Sequence, residues 1–373
     1  MRVAFISTVH GHSWPGSEFV WGDTARCLLE QGHQVFARCS VDFKASPVLC
    51  KLIEKGLIYD PAGFVSSRMT RLKEKFFDPL ARLRNWQADV IVVSAGSAFD
   101  ISYSFALSQF LLKTDIPFIP VCHFNAETFW VDGRIRKIMR KIYSQAAAAV
   151  FVSQDNHRIT ERQLAMTIQN YHIIPPPLPV WLDKPLAWPD FDGDCWNLAC
   201  VARLEPQWKG QDVLFELLSY PEWRARNWCL NLYGEGEDKE YLQDLVEYYN
   251  LTERVNFVGF VKDRTKIWLT NHIQVFPTRG EGGPMVLTEG MICGRPAVIT
   301  NCGNVREYVE DGVDGFISQF ATPDIFSVAM ERAWGRRNDW QIMGIKAHEK
   351  IKKSVSQIEP SATLIELINK YKK

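Results

Sequence analysis

The sequence lacks a net charge, long apolar runs and closely spaced cysteines. Its 373 residues carry 43 basic and 43 acidic side chains, so no overall positive field favours nucleic acid. Nowhere do about eighteen apolar residues follow one another, as a transmembrane helix requires. The apolar run after Arg2 is too short for a signal peptide, and none of the nine cysteines has zinc-knuckle spacing. We therefore expect a cytoplasmic protein with reduced thiols, no metal and no nucleic-acid partner.

What is present is an alternation of short apolar runs with longer helical patterns. With 46% hydrophobic residues, the chain can form two ordinary domains. The alternation predicts an α/β protein with two Rossmann-like, doubly wound parallel sheets. The predicted strands are Val3–Ser7, Gln34–Cys39, Asp89–Ser94, Pro117–Cys122, Ala149–Ser153, Asn197–Ala202, Cys229–Tyr233, Arg254–Val258, Gln274–Phe276 and Pro296–Thr300.

A proline-rich stretch separates the two sets of strands. It contains Pro175, Pro176, Pro177, Pro179, Pro185 and Pro189, which disfavour both helix and central strand. We place an N-terminal domain at 1–180, a C-terminal domain at 181–355, and a last helix at 356–373 that could cross back to the N-terminal domain. Open α/β sheets bind ligands at the carboxyl ends of their strands, so a central cleft between the domains is the expected site.

The most informative segment runs from Thr278 to Thr300. Three glycines, Gly280, Gly282 and Gly283, form a bare loop, and Pro284 stands where a helix takes its first residue. The amides at the start of such a helix suit a diphosphate, and here they belong to Met285, Val286 and Leu287. Glu281 and Glu289 lie eight residues apart, about 12 Å along a helix axis. They are therefore expected to bind different parts of an elongated ligand.

A second group of residues follows the first strand of the C-terminal half. Arg203 stands at the carboxyl end of that strand, and Lys209 precedes Gly210 in the turn to the next helix. An arginine fork and a lysine point charge suit phosphate oxygens.

With these residues in view, the C-terminal half resembles the retaining glycosyltransferases of family 4, which have the GT-B fold. The resemblance rests on Glu281-x7-Glu289, Cys293-Gly-Arg-Pro296, Arg203-Leu204 and Lys209-Gly210. It continues through Tyr233-Gly-Glu-Gly236, Val255-Asn-Phe-Val-Gly259 and Gly303-Asn-Val-Arg-Glu307. The N-terminal half is less similar, with a glycine loop at Gly16 and a histidine, His123, after the fourth predicted strand.

The resemblance implies roles for these residues. Arg203 and Lys209 would bind the donor diphosphate, Glu281 the donor sugar, and Glu289 the ribose hydroxyls. His123 would contact the donor sugar, and Gly16 would let the N-terminal loop approach both substrates. The implied catalytic residues are thus Glu281, His123, Arg203 and Lys209. The resemblance implies no cofactor and no metal.

The sequence indicates contacts with the acceptor and with a membrane less clearly than it indicates the donor-binding residues. Trp14, Asn125, Glu127 and Trp130 are acceptor candidates because they lie near the expected site. The stretches 66–86 and 133–143 mix basic with apolar residues. They could dock on an anionic membrane at the cytoplasmic face, or could be solvated helices packed on the sheet.

We interpret the chain as a retaining glycosyltransferase. It would move a hexosyl group from a UDP- or GDP-sugar to a glycan or lipid-linked glycan, without metal and by front-face attack. The alternatives are a nucleotide-sugar epimerase of GT-B fold and a non-catalytic nucleotide-sugar-binding protein.

Overall fold

The computed structural model describes residues 1–11, 13–62, 78–190, 195–355 and 359–373. These residues form two units. The first contains residues 1–177 together with 359–373, and the second contains residues 178–358. The chain therefore divides just before the boundary that we placed after residue 180, and its last helix belongs to the first unit.

The first unit is built on a seven-stranded parallel sheet with the order β3-β2-β1-β4-β5-β6-β7. Its strands are β1 (Arg2–Ser7), β2 (Gln34–Ser40), β3 (Ile58–Ala62), β4 (Val90–Ala95), β5 (Phe118–Cys122), β6 (Ala149–Phe151) and β7 (Tyr171–Ile173). The helices between them are α1 (Glu18–Glu30), α2 (Pro47–Glu54), α3 (Ala81–Trp86), α4 (Phe105–Leu111), α5 (Gly133–Gln145) and α6 (Gln154–Leu164).

Successive residues of the central strands face opposite sides of this sheet. Val3 and Phe5 of β1 belong to one apolar cluster with residues of α1 and α2. Ala4 and Ile6 belong to a second cluster with residues of α3, α4 and α5. Burial on both faces explains why these strands are continuous apolar runs rather than alternating ones.

The second unit is built on a six-stranded parallel sheet with the order β10-β9-β8-β11-β12-β13. The strands are β8 (Trp196–Val201), β9 (Trp228–Tyr233), β10 (Val255–Gly259), β11 (Ile273–Phe276), β12 (Ala297–Thr300) and β13 (Gly315–Ser318). The helices are α7 (Pro206–Lys209), α8 (Gln211–Leu218), α9 (Pro221–Arg224), α10 (Lys239–Tyr248), α11 (Arg264–Thr270), α12 (Met285–Ile292), α13 (Val305–Tyr308), α14 (Pro323–Gly335) and α15 (Trp340–Val355).

The last helix, α16 (Pro360–Tyr371), packs against α1 in the first unit. Leu364, Leu367 and Ile368 join the apolar cluster that contains Val3 and Phe5. The amide of Lys373 also donates to the carbonyl oxygen of Asp89 at 3.1 Å.

All ten predicted strands are present, with ends that differ by one or two residues. Among the described residues, three further strands were not predicted: β3, β7 and β13. Each lies at the edge of its sheet. β3 contains Asp60 and Pro61 and β7 has only three residues, so neither has the long apolar run of a central strand.

The expectation that every cysteine is reduced is wrong for one pair. Cys195 and Cys229 form a disulfide, with Cα atoms 6.2 Å apart. Cys195 lies just before β8 and Cys229 lies in β9, and these neighbouring strands align Trp196 with Trp228. The pairing depends on strand register, which residue spacing did not show. The other seven cysteines are not in disulfides.

None of the helices in the described ranges is both long enough and apolar enough to cross a membrane.

We predict that Gly344→Ala destabilises the second unit. A Cβ atom on Gly344, in α15, would lie 2.0 Å from the carbonyl oxygen of Gly294, so the helix would have to move away. The expected cost is about 1–3 kcal/mol, measured by thermal unfolding. Gly335→Ala is the matched control, because a Cβ there meets nothing within 4 Å. Equal melting temperatures for the two variants would contradict the prediction.

Candidate active site

The site in the second unit begins with a close approach of two loops. Gly210 separates α7 from α8 and has φ +67°, and a Cβ atom there would lie 2.0 Å from the carbonyl oxygen of Pro277. Both the positive φ and the contact require glycine. The turn after β8 can therefore lie directly on the loop after β11.

Hydrogen bonds hold the two loops in this position. The carbonyl oxygen of Trp208 accepts from the amide of Arg279 at 2.8 Å and from the hydroxyl of Thr278 at 2.9 Å. The Arg279 guanidinium donates to both carboxylate oxygens of Asp212, at 2.8 and 2.7 Å. A bidentate pair of this kind fixes direction as well as distance.

Lys209 and Glu281 meet as a result, although 72 residues separate them. Lys209 Nζ donates to Glu281 Oε1 at 2.6 Å, and the two side chains are 21% and 19% exposed. A short pair that is largely shielded from water is stronger than a surface ion pair. Arg203 lies beyond the end of β8, is 51% exposed, and pairs with Glu205 at 3.0 Å.

The glycine loop leads into α12, which begins at Met285, one residue later than expected, with Pro284 as its N-cap. The first amide bonded within the helix is that of Thr288, which donates to the Pro284 carbonyl oxygen. The amides of Met285, Val286 and Leu287 precede it, as the sequence predicted for an anion site. Gly282 and Gly283 lie in the loop itself.

Glu289 is enclosed more completely than the sequence indicated. Its side chain is 0% exposed. Trp268 Nε1 donates to Oε1 at 3.0 Å, and Arg264 Nη1 donates to Oε2 at 3.1 Å. Burial raises the pKa of Glu289 above its ordinary value, and the positive charge of Arg264 opposes that effect. Arg264 and Trp268 were not predicted, because nothing in the sequence shows that α11 packs beside α12.

The first unit has its own polar cluster at the carboxyl ends of its central strands. His123 directly follows β5, and its Nε2 lies 3.0 Å from Ser94 Oγ in β4. Ser94 Oγ in turn donates to Glu18 Oε1 at 3.5 Å. Glu18 is fully buried at the start of α1, next to the turn that contains Gly16. Ser94 and Glu18 were not predicted as site residues.

Burial shifts both titratable groups of this cluster toward their neutral forms. It lowers the pKa of His123 to about 4. It raises the pKa of Glu18 to about 7, although hydrogen bonds to Trp21 and to nearby serines oppose the shift. The imidazole is therefore neutral at physiological pH.

Two of the acceptor candidates make contacts within the first unit. The Trp14 ring packs against Trp21 and Phe43, with centroids 5.2 and 5.4 Å away. Asn125 is 2% exposed, and its amide group donates to Thr160 at 2.8 Å and Gln163 at 2.9 Å. Trp14 was chosen for its place beside the expected site, and Asn125 because it follows His123 closely in sequence; contact of either with an acceptor stays a prediction.

The other two acceptor candidates lie at the surface. Glu127 forms ion pairs with Arg158, at 3.1 Å, and with Arg162. Trp130 is 91% exposed. In the part of the chain that the structure describes, no group of three or more His, Cys, Asp or Glu side chains could hold a metal ion.

Residues 196–335 match the family model described as "Glycosyl transferases group 1". An uncharacterized glycosyltransferase of Haemophilus influenzae is 30% identical over 113 residues, which are 30% of this chain and 32% of that protein. The chain thus matches about a third of that relative's length. The amylovoran biosynthesis glycosyltransferase AmsD of Erwinia amylovora is 24% identical over 263 residues, which are 69% of this chain and 71% of that protein.

Solved structures match almost the whole chain. Anabaena HepE in complex with UDP has a TM-score of 0.76 and 16% identity, covering 99% of this chain and 100% of that one. The chain has the GT-B fold. The lipopolysaccharide outer core galactosyltransferase WaaB also has it, with a TM-score of 0.70, 16% identity and 99% of each chain covered. In this GT-B chain the match to group 1 glycosyltransferases lies in the unit that carries Lys209 and Glu281.

We predict that Glu289→Ala destabilises the protein even without a ligand. It leaves the indole N–H of Trp268 and the guanidinium of Arg264 without their acceptor, at a cost of about 1–3 kcal/mol. Glu289→Gln keeps an acceptor for Trp268 and should cost less. The measurement is thermal unfolding in the absence of nucleotide.

The control for this prediction is Glu331→Ala, which removes a surface ion pair with Arg226 and should cost less than about 1 kcal/mol. If Glu289→Ala melts at the wild-type temperature, its hydrogen bonds contribute nothing to stability and the prediction is wrong.

Proposed function

We propose that this protein is a retaining glycosyltransferase that moves a hexosyl group from a nucleotide-sugar donor to a glycan or lipid-linked glycan. The observation that carries the proposal is the Lys209–Glu281 pair at 2.6 Å, beside the amides that open α12. A cation, a carboxylate and a helix N-terminus together suit a sugar linked to a diphosphate. The group 1 match across residues 196–335 supports it.

The donor nucleotide is UDP in this proposal, with GDP as the other candidate. HepE has been solved with UDP and with UDP-glucose, which supports UDP. Lys209 and Arg203 bind the diphosphate, with the first amides of α12, and Glu289 is assigned to the ribose. Glu281 binds the hydroxyls of the donor sugar, while Gly282 and Gly283 keep the loop free of side chains.

The chemistry is leaving-group stabilisation. As the bond between the sugar and the diphosphate breaks, negative charge grows on the phosphate. Lys209 and the helix dipole lie where that charge develops, in a position fixed before the reaction. Lys209 exchanges Glu281 for phosphate when the donor binds, and the released carboxylate then stabilises positive charge on the sugar as the bond breaks.

Retention follows from attack on the same face that the diphosphate leaves. The acceptor oxygen forms its bond to the anomeric carbon, and its proton passes to the departing phosphate oxygen. No metal takes part in this step. His123 is assigned to the donor sugar, and Gly16 to the loop that approaches the substrates.

The acceptor is a growing glycan or a glycan on a lipid carrier. The roles of AmsD in amylovoran biosynthesis and of WaaB as a galactosyltransferase of the lipopolysaccharide outer core support this class. Trp130, with its exposed ring, is the strongest acceptor contact among the candidates, since apolar sugar faces pack on indole rings.

We also propose that the protein works on the cytoplasmic face of a membrane through α5. The outer side of this helix exposes Arg134, Lys137, Arg140 and Lys141, while Met139 and Ile142 are buried. The exposed Trp130 lies just before it. Of the second basic stretch, 66–86, residues 66–77 lie outside the described residues, while Arg82 and Arg84 form ion pairs with Asp60 and Asp78.

The first prediction concerns turnover of the donor. Incubation with a panel of UDP- and GDP-sugars should consume one donor only when a glycan or lipid-linked acceptor is present. Mass spectrometry follows the free nucleotide and the heavier product, and NMR gives the anomeric configuration of the product. A donor that isomerises without acceptor indicates an epimerase. A donor that binds and is never consumed indicates a binding protein, and an inverted product contradicts retention.

The second prediction distinguishes the role of Glu281 from the role of Lys209. Glu281→Ala should lower kcat by about 100-fold or more while UDP affinity, measured by calorimetry, changes little. Lys209→Ala should weaken UDP binding itself, because it removes a charge from the diphosphate. If Glu281→Ala mainly loses UDP affinity, the proposed division of roles is wrong.

The third prediction concerns membrane binding. Reversing charge at Arg140 and Lys141 should weaken binding to anionic phospholipid vesicles by at least roughly 30-fold, because each reversal removes a cation, at ~1 kcal/mol, and also adds an anion. Sedimentation with anionic and zwitterionic vesicles at low salt measures the effect. The matched control reverses Lys239 and Lys266, which are exposed on the second unit. Equal binding by both double variants would refute docking through α5.

A further inference from the structure

Glu18 is an unusual group to bury in the first unit. It is 0% exposed, and among the described residues no cation forms an ion pair with it. Trp21 Nε1 donates to its Oε2 at 2.6 Å, and Ser17 Oγ donates to its Oε1 at 3.2 Å. An uncompensated carboxylate is costly in a protein interior. A glutamine amide oxygen could accept from Trp21 without that cost.

A carboxylate accepts hydrogen bonds at both of its oxygens. A glutamine side chain has one oxygen that accepts and one NH2 group that donates. Oε1, the oxygen turned away from Trp21, is the one that Ser94 Oγ approaches at 3.5 Å. A glutamine that kept its carbonyl toward Trp21 would present its NH2 group to Ser94 instead. The carboxylate therefore gives the Ser94 hydroxyl an acceptor on the side away from His123.

The Ser94 hydroxyl has one proton and two neighbours. If it donates to Glu18, its oxygen can only accept from His123, whose Nε2 lies 3.0 Å away, so Nε2 must carry the ring proton. If it donates to His123, Nε2 must be bare and the ring proton lies on Nδ1. The direction of this chain thus decides the tautomer of a neutral histidine.

We propose that Glu18 and Ser94 are positioning residues that hold His123 as the Nε2–H tautomer. The chain runs from Nε2–H to Ser94 Oγ, and from the Ser94 hydroxyl to the Glu18 carboxylate. Nδ1 then keeps its lone pair and accepts a hydrogen bond from a ligand hydroxyl. The contact between Nδ1 and ligand rests on the proposed glycosyltransferase function, whereas the tautomer is a property of the free protein.

The protonation equilibria agree with this arrangement. Because burial lowers the pKa of His123 to about 4, the ring is neutral at physiological pH and its tautomer is defined. Because the pKa of Glu18 is about 7, Glu18 is a carboxylate above that pH. The Cys39 thiol of β2 also lies close to Glu18, and burial raises its pKa so that it stays uncharged. Observation at pH 8 therefore tests the ionised form.

The test is NMR of the full chain labelled with ¹⁵N-histidine, at pH 8 and without ligand. His123→Asn assigns the His123 ring signals by their loss. Wild type should show a protonated Nε2 and a bare Nδ1. Glu18→Gln should move the proton to Nδ1, because its NH2 group donates to Ser94 and turns the hydroxyl toward Nε2. Glu30→Gln, an exposed substitution in the same helix, should leave both signals unchanged.

Ser94→Ala keeps the test decisive if Glu18→Gln does not fold. Without the hydroxyl, Nε2 loses its partner, so the preference for one tautomer should be lost. Where both variants fold, Glu18→Gln should have no further effect in the Ser94→Ala background. A wild-type His123 protonated on Nδ1, or signals that do not change in either variant, would overturn the proposal.

Activity tests the functional part separately. Glu18→Gln should lower kcat on the order of tenfold, as expected for loss of a group that orients a histidine, with little change in donor KM. A tautomer shift without a change in kcat supports the chain of hydrogen bonds and refutes the assigned role of His123. A fall in kcat without a tautomer shift overturns the proposal itself.

Discussion

The close approach of Gly210 to Pro277 is the constraint on which the second unit's site depends. These two points follow neighbouring strands, β8 and β11, and backbone can meet backbone there only because Gly210 has no side chain. Trp208 and Arg279 then share a hydrogen bond across the contact. Lys209 reaches Glu281 because its own neighbour is a glycine, so the ion pair is a consequence of backbone geometry more than of charge attraction.

The two units place different kinds of polar group at the same edge of their sheets. Each gathers polar groups at the carboxyl ends of parallel strands, where ladder hydrogen bonding stops and side chains become available. The second unit gathers charged groups that are partly open to water, such as Arg203, Lys209 and Glu281. The first unit buries its ionisable groups, Glu18 and His123, so that both tend toward the neutral state. The charged groups of the second unit suit charge neutralisation, and the buried groups of the first unit suit the exchange of single hydrogen bonds.

Sequence periodicity predicted the two parallel α/β sheets well because central strands are buried on both faces and so have strong apolar signals. It missed β3, β7 and β13, since edge strands tolerate proline, polar residues and short length. Motif spacing identified Lys209 and Glu281, which contact each other, and the glycine loop of α12. It could not identify Arg264 and Trp268 around Glu289, or Ser94 and Glu18 beside His123. Those contacts depend on helix packing and on which strands are neighbours, and neither leaves a local pattern.

Because α16 packs in the first unit, it affects the order in which the two units complete folding during synthesis. Leu364, Leu367 and Ile368 complete an apolar layer that includes Val3 and Phe5, so β1 and α16 belong to one core. During synthesis the sheet of the first unit emerges before the second unit, yet one side of it stays partly uncovered until α16 has been made. The second unit, which is continuous in sequence, has all of its strands available earlier. The half that is translated first is therefore the half that finishes folding last.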